Sequence, residues 1–318
     1  MNLNRTEQES ILTLCLLAAF ADGAQSDVER AEFKRIAESL PDGELQPVAL
    51  YHRVLLGQAR LETAAAALTN APSRQLAYEM AVCVCEADDA LSEPENAFLA
   101  QLRRELKLDA ASTQAIETQA HQLVTEPLAA PPVIAAAPTP TPIPAAAGAD
   151  LAKTVLNYAI LNGALELLPE TLATMAIIPL QMKMVYAIGR HYGHELDRGH
   201  IKEFLAAAGI GLTSQVVEGY ARKLLGGLLG KVGGGLGRGM GRQLAGSAMS
   251  FATTWALGKM AVQYYAGGRK LSAIQMQQLF GTFTEQARTL HGTYAGAIRD
   301  KSASLNLTQL LPLIRSQQ

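Results

Sequence analysis

The sequence predicts an all-α protein of two helical domains joined by a Pro/Ala-rich linker. Three observations carry that prediction. Apolar residues recur at helical spacing with no evident strand alternation. Residues 127–150, PLAAPPVIAAAPTPTPIPAAAGAD, form a stretch that no packed element absorbs, and they read as a semi-rigid, largely polyproline-like spacer. The charge reverses across it: residues 1–126 carry 10 Lys+Arg against 20 Asp+Glu, and residues 151–318 carry 17 against 8. The overall formal charge of −2 hides this contrast. The expected division is an acidic domain 1–126, a linker 127–150 and a basic, Gly-rich domain 151–318, each long enough to bury its own core.

In the first domain the run ILTLCLLAAF (11–20) has helical spacing, breaks at Ala21-Asp22-Gly23 and restarts at Ser26-Asp27-Val28-Glu29. Ser26 and Glu29 have the spacing of a capping box, in which the serine oxygen accepts from a free backbone N–H and the glutamate reaches back. The pattern recurs 66 residues later: LAYEMAVCVC (76–85) precedes Ala87-Asp88-Asp89-Ala90-Leu91-Ser92-Glu93-Pro94-Glu95. Asp, Ser and Glu coincide at matching offsets, and Phe33 and Phe98 follow near the first turns of the next helices. An internal helix-turn-helix duplication is the economical reading. The three cysteines, Cys15, Cys83 and Cys85, lie inside apolar runs, where small buried thiols are expected, and a reducing compartment goes with them. MNLNRTEQES has no basic segment leading into an apolar core, so no cleaved secretory signal is expected.

Those paired turns are what make residues 8–122 resemble a tellurite-resistance TerB-type domain, an all-helical fold with two such "ADG…S…E" turns. The resemblance implies that the acidic turn residues bind a divalent metal ion, calcium or zinc, and here it points to Asp22, Asp27, Glu29, Asp88, Asp89, Glu93 and Glu95. Hard cations take several carboxylate and carbonyl oxygens, which a short loop between helices supplies. Capping and helix-dipole stabilisation account for Ser26/Glu29 and Ser92/Glu95 equally well. Neither turn has the ligand alternation of a twelve-residue EF-hand, and Asp89 replaces the glycine of the first turn.

The second domain alternates helical runs with Pro169, Pro179 and a glycine-dominated segment. Between Glu218 and Glu285 there is no acidic residue, while Arg222, Lys223, Lys231, Arg238, Arg242, Lys259, Arg269 and Lys270 are all basic. One-signed charge among aliphatic side chains fits an anionic membrane surface, each basic residue contributing on the order of 1 kcal/mol near such a leaflet. The side chains interleaved with these charges are aliphatic rather than aromatic platforms for stacking single-stranded nucleic acid, so no nucleic-acid partner is expected. Gly226, Gly230 and Gly234 are spaced by four, as are Gly237 and Gly241 with Gly233 before them, a pattern that lets helix backbones approach and self-associate as a homo-oligomer. A flexible glycine loop between Leu225 and Gln243 is the alternative. The spacing excludes a phosphate-binding loop, because Val232 stands where Ser or Thr is required. Gln243–Gly258 is uncharged for sixteen residues, short of the ~20 a span needs, so surface-lying or partly inserted helices are expected rather than clear spans.

Two stretches, Leu168-Pro169-Glu170 through Ile178-Pro179-Leu180 to Tyr192-Gly193, and Phe251-Ala252-Thr253-Thr254-Trp255-Ala256-Leu257-Gly258, make residues 155–285 resemble the helical domain of YcjF-type inner-membrane proteins. That resemblance implies a GTPase-like or other stress-response partner and carries over no catalytic residue. His191, His194 and His200 are expected on the solvent side, with Gly193 stopping the helix between them. No nucleophile–base pairing emerges from the six scattered histidines. The expected function is non-enzymatic: a stress-response adaptor or sensor in the bacterial cytoplasm, peripheral to the inner membrane. A soluble oligomeric scaffold is the alternative.

Overall fold

The computed structural model describes residues 3–23, 47–88, 91–126, 128, 145–168, 171–226 and 238–305, with side chains of 145–149, 225–226 and 238–245 outside that description. All regular structure among the described residues is helical: α1 (Arg5–Ala19), α2 (Pro47–Leu55), α3 (Leu61–Ala66), α4 (Ala71–Cys85), α5 (Glu93–Glu105), α6 (Ala110–Thr125), α7 (Ala145–Leu165), α8 (Thr171–Met175), α9 (Ile177–His191), α10 (Arg198–Ala207), α11 (Leu212–Gly226), α12 (Arg238–Ala266) and α13 (Ala273–Ser304). The all-α expectation holds. Most of the linker and the first restart helix, with Asp27, Glu29 and the Ser26/Glu29 box, fall outside the described residues.

Two compact units form, and they alternate along the chain. One comprises Met1–Thr125, Pro169–Met175 and Gly211–Leu244; the other comprises Glu126–Leu168, Ala176–Ile210 and Ala245–Gln318. A division at residues 127–150 places Pro169–Met175 and Gly211–Leu244 with the second domain, whereas their contacts group them with the first. The physical reason lies in the faces of α11. Val216, Val217, Tyr220 and Leu224 recur at helical spacing and are buried, and α11 packs on α1, α4 and α8.

At the centre of the first unit, α1 and α4 pack against each other. These are the two apolar runs recognised in the sequence. Ile11, Leu14 and Cys15 of α1 and Ala77, Met80, Ala81, Val82 and Val84 of α4 are essentially inaccessible. Helices with so little polar surface require neighbours on most sides. α2, α3 and α11 surround α1, and α5, α6, α8 and α11 surround α4. Their starts are capped: Asn4 forms a capping box with Glu7, and Asn70 accepts from the Ser73 backbone N–H. All three cysteines are buried free thiols, and burial pushes the Cys83 thiol up to about 12.

The second unit is built on close helix approach. Phe251, Ala252, Ala159, Ala164, Ala287 and Ile298 form its core, flanked by Leu156, Trp255, Leu290 and Tyr294. α7 meets α12 where glycine allows it: a Cβ on Gly258 would lie 2.6 and 2.7 Å from the two Val155 methyls, and one on Gly163 would lie 3.3 Å from both Phe251 Cβ and the Ser247 carbonyl. Inside this apolar packing sits a neutral polar layer. Asn162 and Gln181 each donate a side-chain N–H to Thr254 Oγ1, at 2.9 and 3.1 Å, and all three residues are no more than 1% exposed.

One stretch, Thr171–His191, is by length and composition apolar enough to cross a bilayer, and 83% of its apolar window is buried within the protein. Burial to that extent is how a core helix of a soluble fold also looks. The α9 helix stops where glycine predicts: Gly193 takes φ +77°, and the His194 N–H closes back on the Gly189 carbonyl at 3.0 Å.

Candidate functional site

The first acidic turn follows α1 directly. Phe20 caps the helix, Gly23 supplies the left-handed φ of +65° that the turn requires, and Asp22 is exposed between them. The second turn follows α4 through a 3-10 turn, Glu86–Asp88, that leaves Asp88 exposed. Ser92 then caps α5 in a complete capping box: its Oγ accepts from the Glu95 N–H at 3.3 Å, and its own N–H donates to Glu95 Oε2 at 2.8 Å. The capping reading of Ser92 and Glu95 is therefore realised in the structure.

Glu95 also reports on both turns. Partial burial raises its carboxyl above the usual 4.5; the Ser92 hydrogen bonds oppose that shift, and the charges of Asp88 and Asp22 add to it. The first-turn and second-turn aspartates thus act on one carboxylate, the juxtaposition the repeated turns imply. Glu93 projects into solvent from the first turn of α5. Asp27, Glu29 and Asp89 lie outside the described residues. Among the described residues no three His, Cys, Asp or Glu side chains are placed to share one ion. The described carboxylates do not by themselves complete a coordination shell.

The glycine and basic residues expected at a membrane or self-association face are dispersed. Arg222 pairs with Glu218 within α11 at 2.5 Å, both side chains 13% exposed, and Lys223 is 1% exposed inside the first unit. Gly226 ends α11; Gly241, Arg238 and Arg242 lie in the first turns of α12. Gly230, Gly234, Gly237 and Lys231 lie outside the described residues. Close helix approach in the second unit is made at Gly163 and Gly258.

Two further basic residues are on the surface. Arg269 and Lys270 are exposed in the turn between α12 and α13, with Ile274 70% exposed just beyond. Lys259 Nζ sits 5.7 Å from the Trp255 ring centroid, a cation–π distance. His191 and His200 are exposed, His194 contacts the Tyr265 ring, and His200 Nδ1 lies 2.8 Å from Asp197 Oδ1.

A feature that sequence reasoning missed lies between α4, α5 and α6. A cleft of about 510 Å³ is lined there by Tyr78, Glu86, Leu99, Arg103, Glu117 and His121 among others. Its polar members come from three separate helical segments, and only their fold brings them together.

Neither the curated proteins nor the solved structures contain a match to this chain. Residues 8–118, which hold both acidic turns and the Ser92/Glu95 box, match the family model of tellurite resistance protein TerB, and this part of the chain is similar to that family.

Proposed function

We propose that the chain is a non-enzymatic, cation-responsive adaptor related to tellurite resistance, in which the paired acidic turns take a divalent ion and the basic end of the chain docks on an anionic membrane. The observation that supports the cation part is that the charges of Asp88 and Asp22, one from each turn, both raise the Glu95 carboxyl. A divalent cation relieves such like-charge repulsion more than any neutral ligand does. Asp27, Glu29, Asp89 and Glu93 are the further oxygens that would complete the shell, and calcium or zinc is the expected ion.

The docking part is supported by the Arg269–Lys270 turn with exposed Ile274 beside it, a basic and apolar pairing suited to a lipid headgroup layer. The YcjF-like stretch and the spaced glycines add a homo-oligomer and a GTPase-like or other stress-response partner to this reading. A bacterial cytoplasmic location at the inner membrane goes with it. The alternative, a soluble oligomeric scaffold, binds neither metal nor lipid.

Two measurements test it. Adding calcium or zinc should raise the melting temperature of the full chain, and Asp22→Ala/Asp88→Ala should abolish the rise; equal melting with and without either ion rejects the cation site. In flotation, the chain should rise with vesicles containing phosphatidylserine and stay behind with phosphatidylcholine alone. Remaining behind with both leaves the scaffold reading.

A further inference from the structure

The α4–α5–α6 cleft is absorbed by neither the acidic turns nor the basic face. Its volume falls within the ~300–1,000 Å³ typical of small-molecule sites. The floor is partly apolar, with Val82 and Leu99 fully or almost fully buried beneath it. Polar groups stand at its ends. The Tyr78 hydroxyl donates to Glu117, and Glu86, only 4% exposed, lies 3.1 Å from His121 Nδ1.

The arrangement of charge is what points to a ligand. Arg103 and Glu117, from different helices, both line the cleft, yet they form no ion pair with each other. No described carboxylate pairs with the Arg103 guanidinium. The cleft therefore offers separate groups of opposite charge, with Glu117 oriented by the Tyr78 hydroxyl. A ligand with its own opposite charges satisfies both at once. A neutral ligand leaves both solvated, and a singly charged one satisfies only one. Glu86 also lines the cleft, so two carboxylates and one guanidinium are available to a ligand there.

We propose that this cleft binds a zwitterionic small molecule of about dipeptide size, its carboxylate paired with Arg103, its ammonium turned to Glu117 and the Glu86–His121 pair, and its apolar body over Val82 and Leu99. Guanidinium and carboxylate make the geometrically matched, charge-assisted pair that this requires. The site shares Glu86 and Leu91 with the second acidic turn, and its test does not depend on metal or lipid.

The probes are Leu-Leu, Val-Ala and Gly-Phe with free termini, added to the full chain and followed by amide chemical shifts and calorimetry. Saturable binding of at least one, centred on resonances of α5 and α6, is expected. Blocking the amino end of that dipeptide by acetylation, or the carboxyl end by amidation, should each weaken it about tenfold or more, the loss of one charge-assisted contact. In Arg103→Gln the amidated and free forms should bind alike, and in Glu117→Gln the gap between the acetylated and free forms should narrow, Glu86 remaining as an acceptor. Arg103 is only half-buried, so its variant should retain the wild-type melting temperature. Saturation by none of the three dipeptides, or indifference of binding to both end-blocking and Arg103→Gln, overturns the proposal.

Discussion

Several ionisable groups of the first unit line its turns and open cleft, whereas the second takes a cluster of neutral polar groups into the middle of its core. In the first, Glu86, Glu95 and Tyr78 lie where α4 and α5 give way to turns or to the open cleft, with charged groups nearby. In the second, Asn162 and Gln181 both donate to Thr254 out of reach of water. The difference teaches how much each unit stands to lose from one substitution. A marginal group that loses its partner finds water again; an enclosed one does not.

The largest expected effect follows from that asymmetry. Thr254→Val keeps shape but strands two buried amide donors, each costing about 1–3 kcal/mol, so denaturant unfolding of the second unit should lose about 3 kcal/mol. An unchanged midpoint shows that the layer is not held through Thr254. Gly258→Val probes the same unit sterically, forcing Cβ substituents into the Val155 methyls; overpacking of this kind costs about 1–3 kcal/mol, read from the same transition. In the first unit Ser92→Ala removes one cap and should cost only about 1 kcal/mol. A loss as large as that of Thr254→Val would erase the contrast between margin and interior.

The smallest effect sharpens the electrostatic side. Glu79, Glu86 and Glu95 all have carboxyls raised above 4.5, chiefly by burial. A raised acid holds its proton more tightly folded than unfolded, so its stabilising effect is fullest at low pH and is lost as pH climbs through 4.5 toward the folded value. Replacing the three by Gln should flatten that portion of the stability–pH curve for the first unit, and parallel curves would refute the assignment. A carboxyl titration by NMR should also find Glu95 lowered in Asp22→Asn/Asp88→Asn, because two like charges are gone.

Much of the helical content was legible in the sequence because it rests on local signals. The apolar runs 11–20 and 76–85, the Ser92-Glu95 box and the stop at Gly193 all appear at the expected positions. The buried thiols follow from the same runs. The membership of α11 was not legible: its basic residues match the composition of the later half, while its apolar face belongs with α1 and α4. Charge averaged along a chain is blind to which side of a helix carries it. Lys223 illustrates this, since a cation counted toward a surface is enclosed. Likewise Arg103, Glu117 and His121 have no motif spacing, and their meeting at one cleft depends on how α5 and α6 diverge over α4.

The alternation of the two units along the chain has a consequence during synthesis. Translation at about 5–20 residues per second leaves several seconds between the emergence of α6 and that of α11. Throughout that interval the nascent polypeptide presents the flanks of α1 and α4 that α11 later covers, Cys83 included. The earliest-made helices therefore wait on a later one, and a gene truncated after the TerB-like region yields a product with that flank bare and prone to clump.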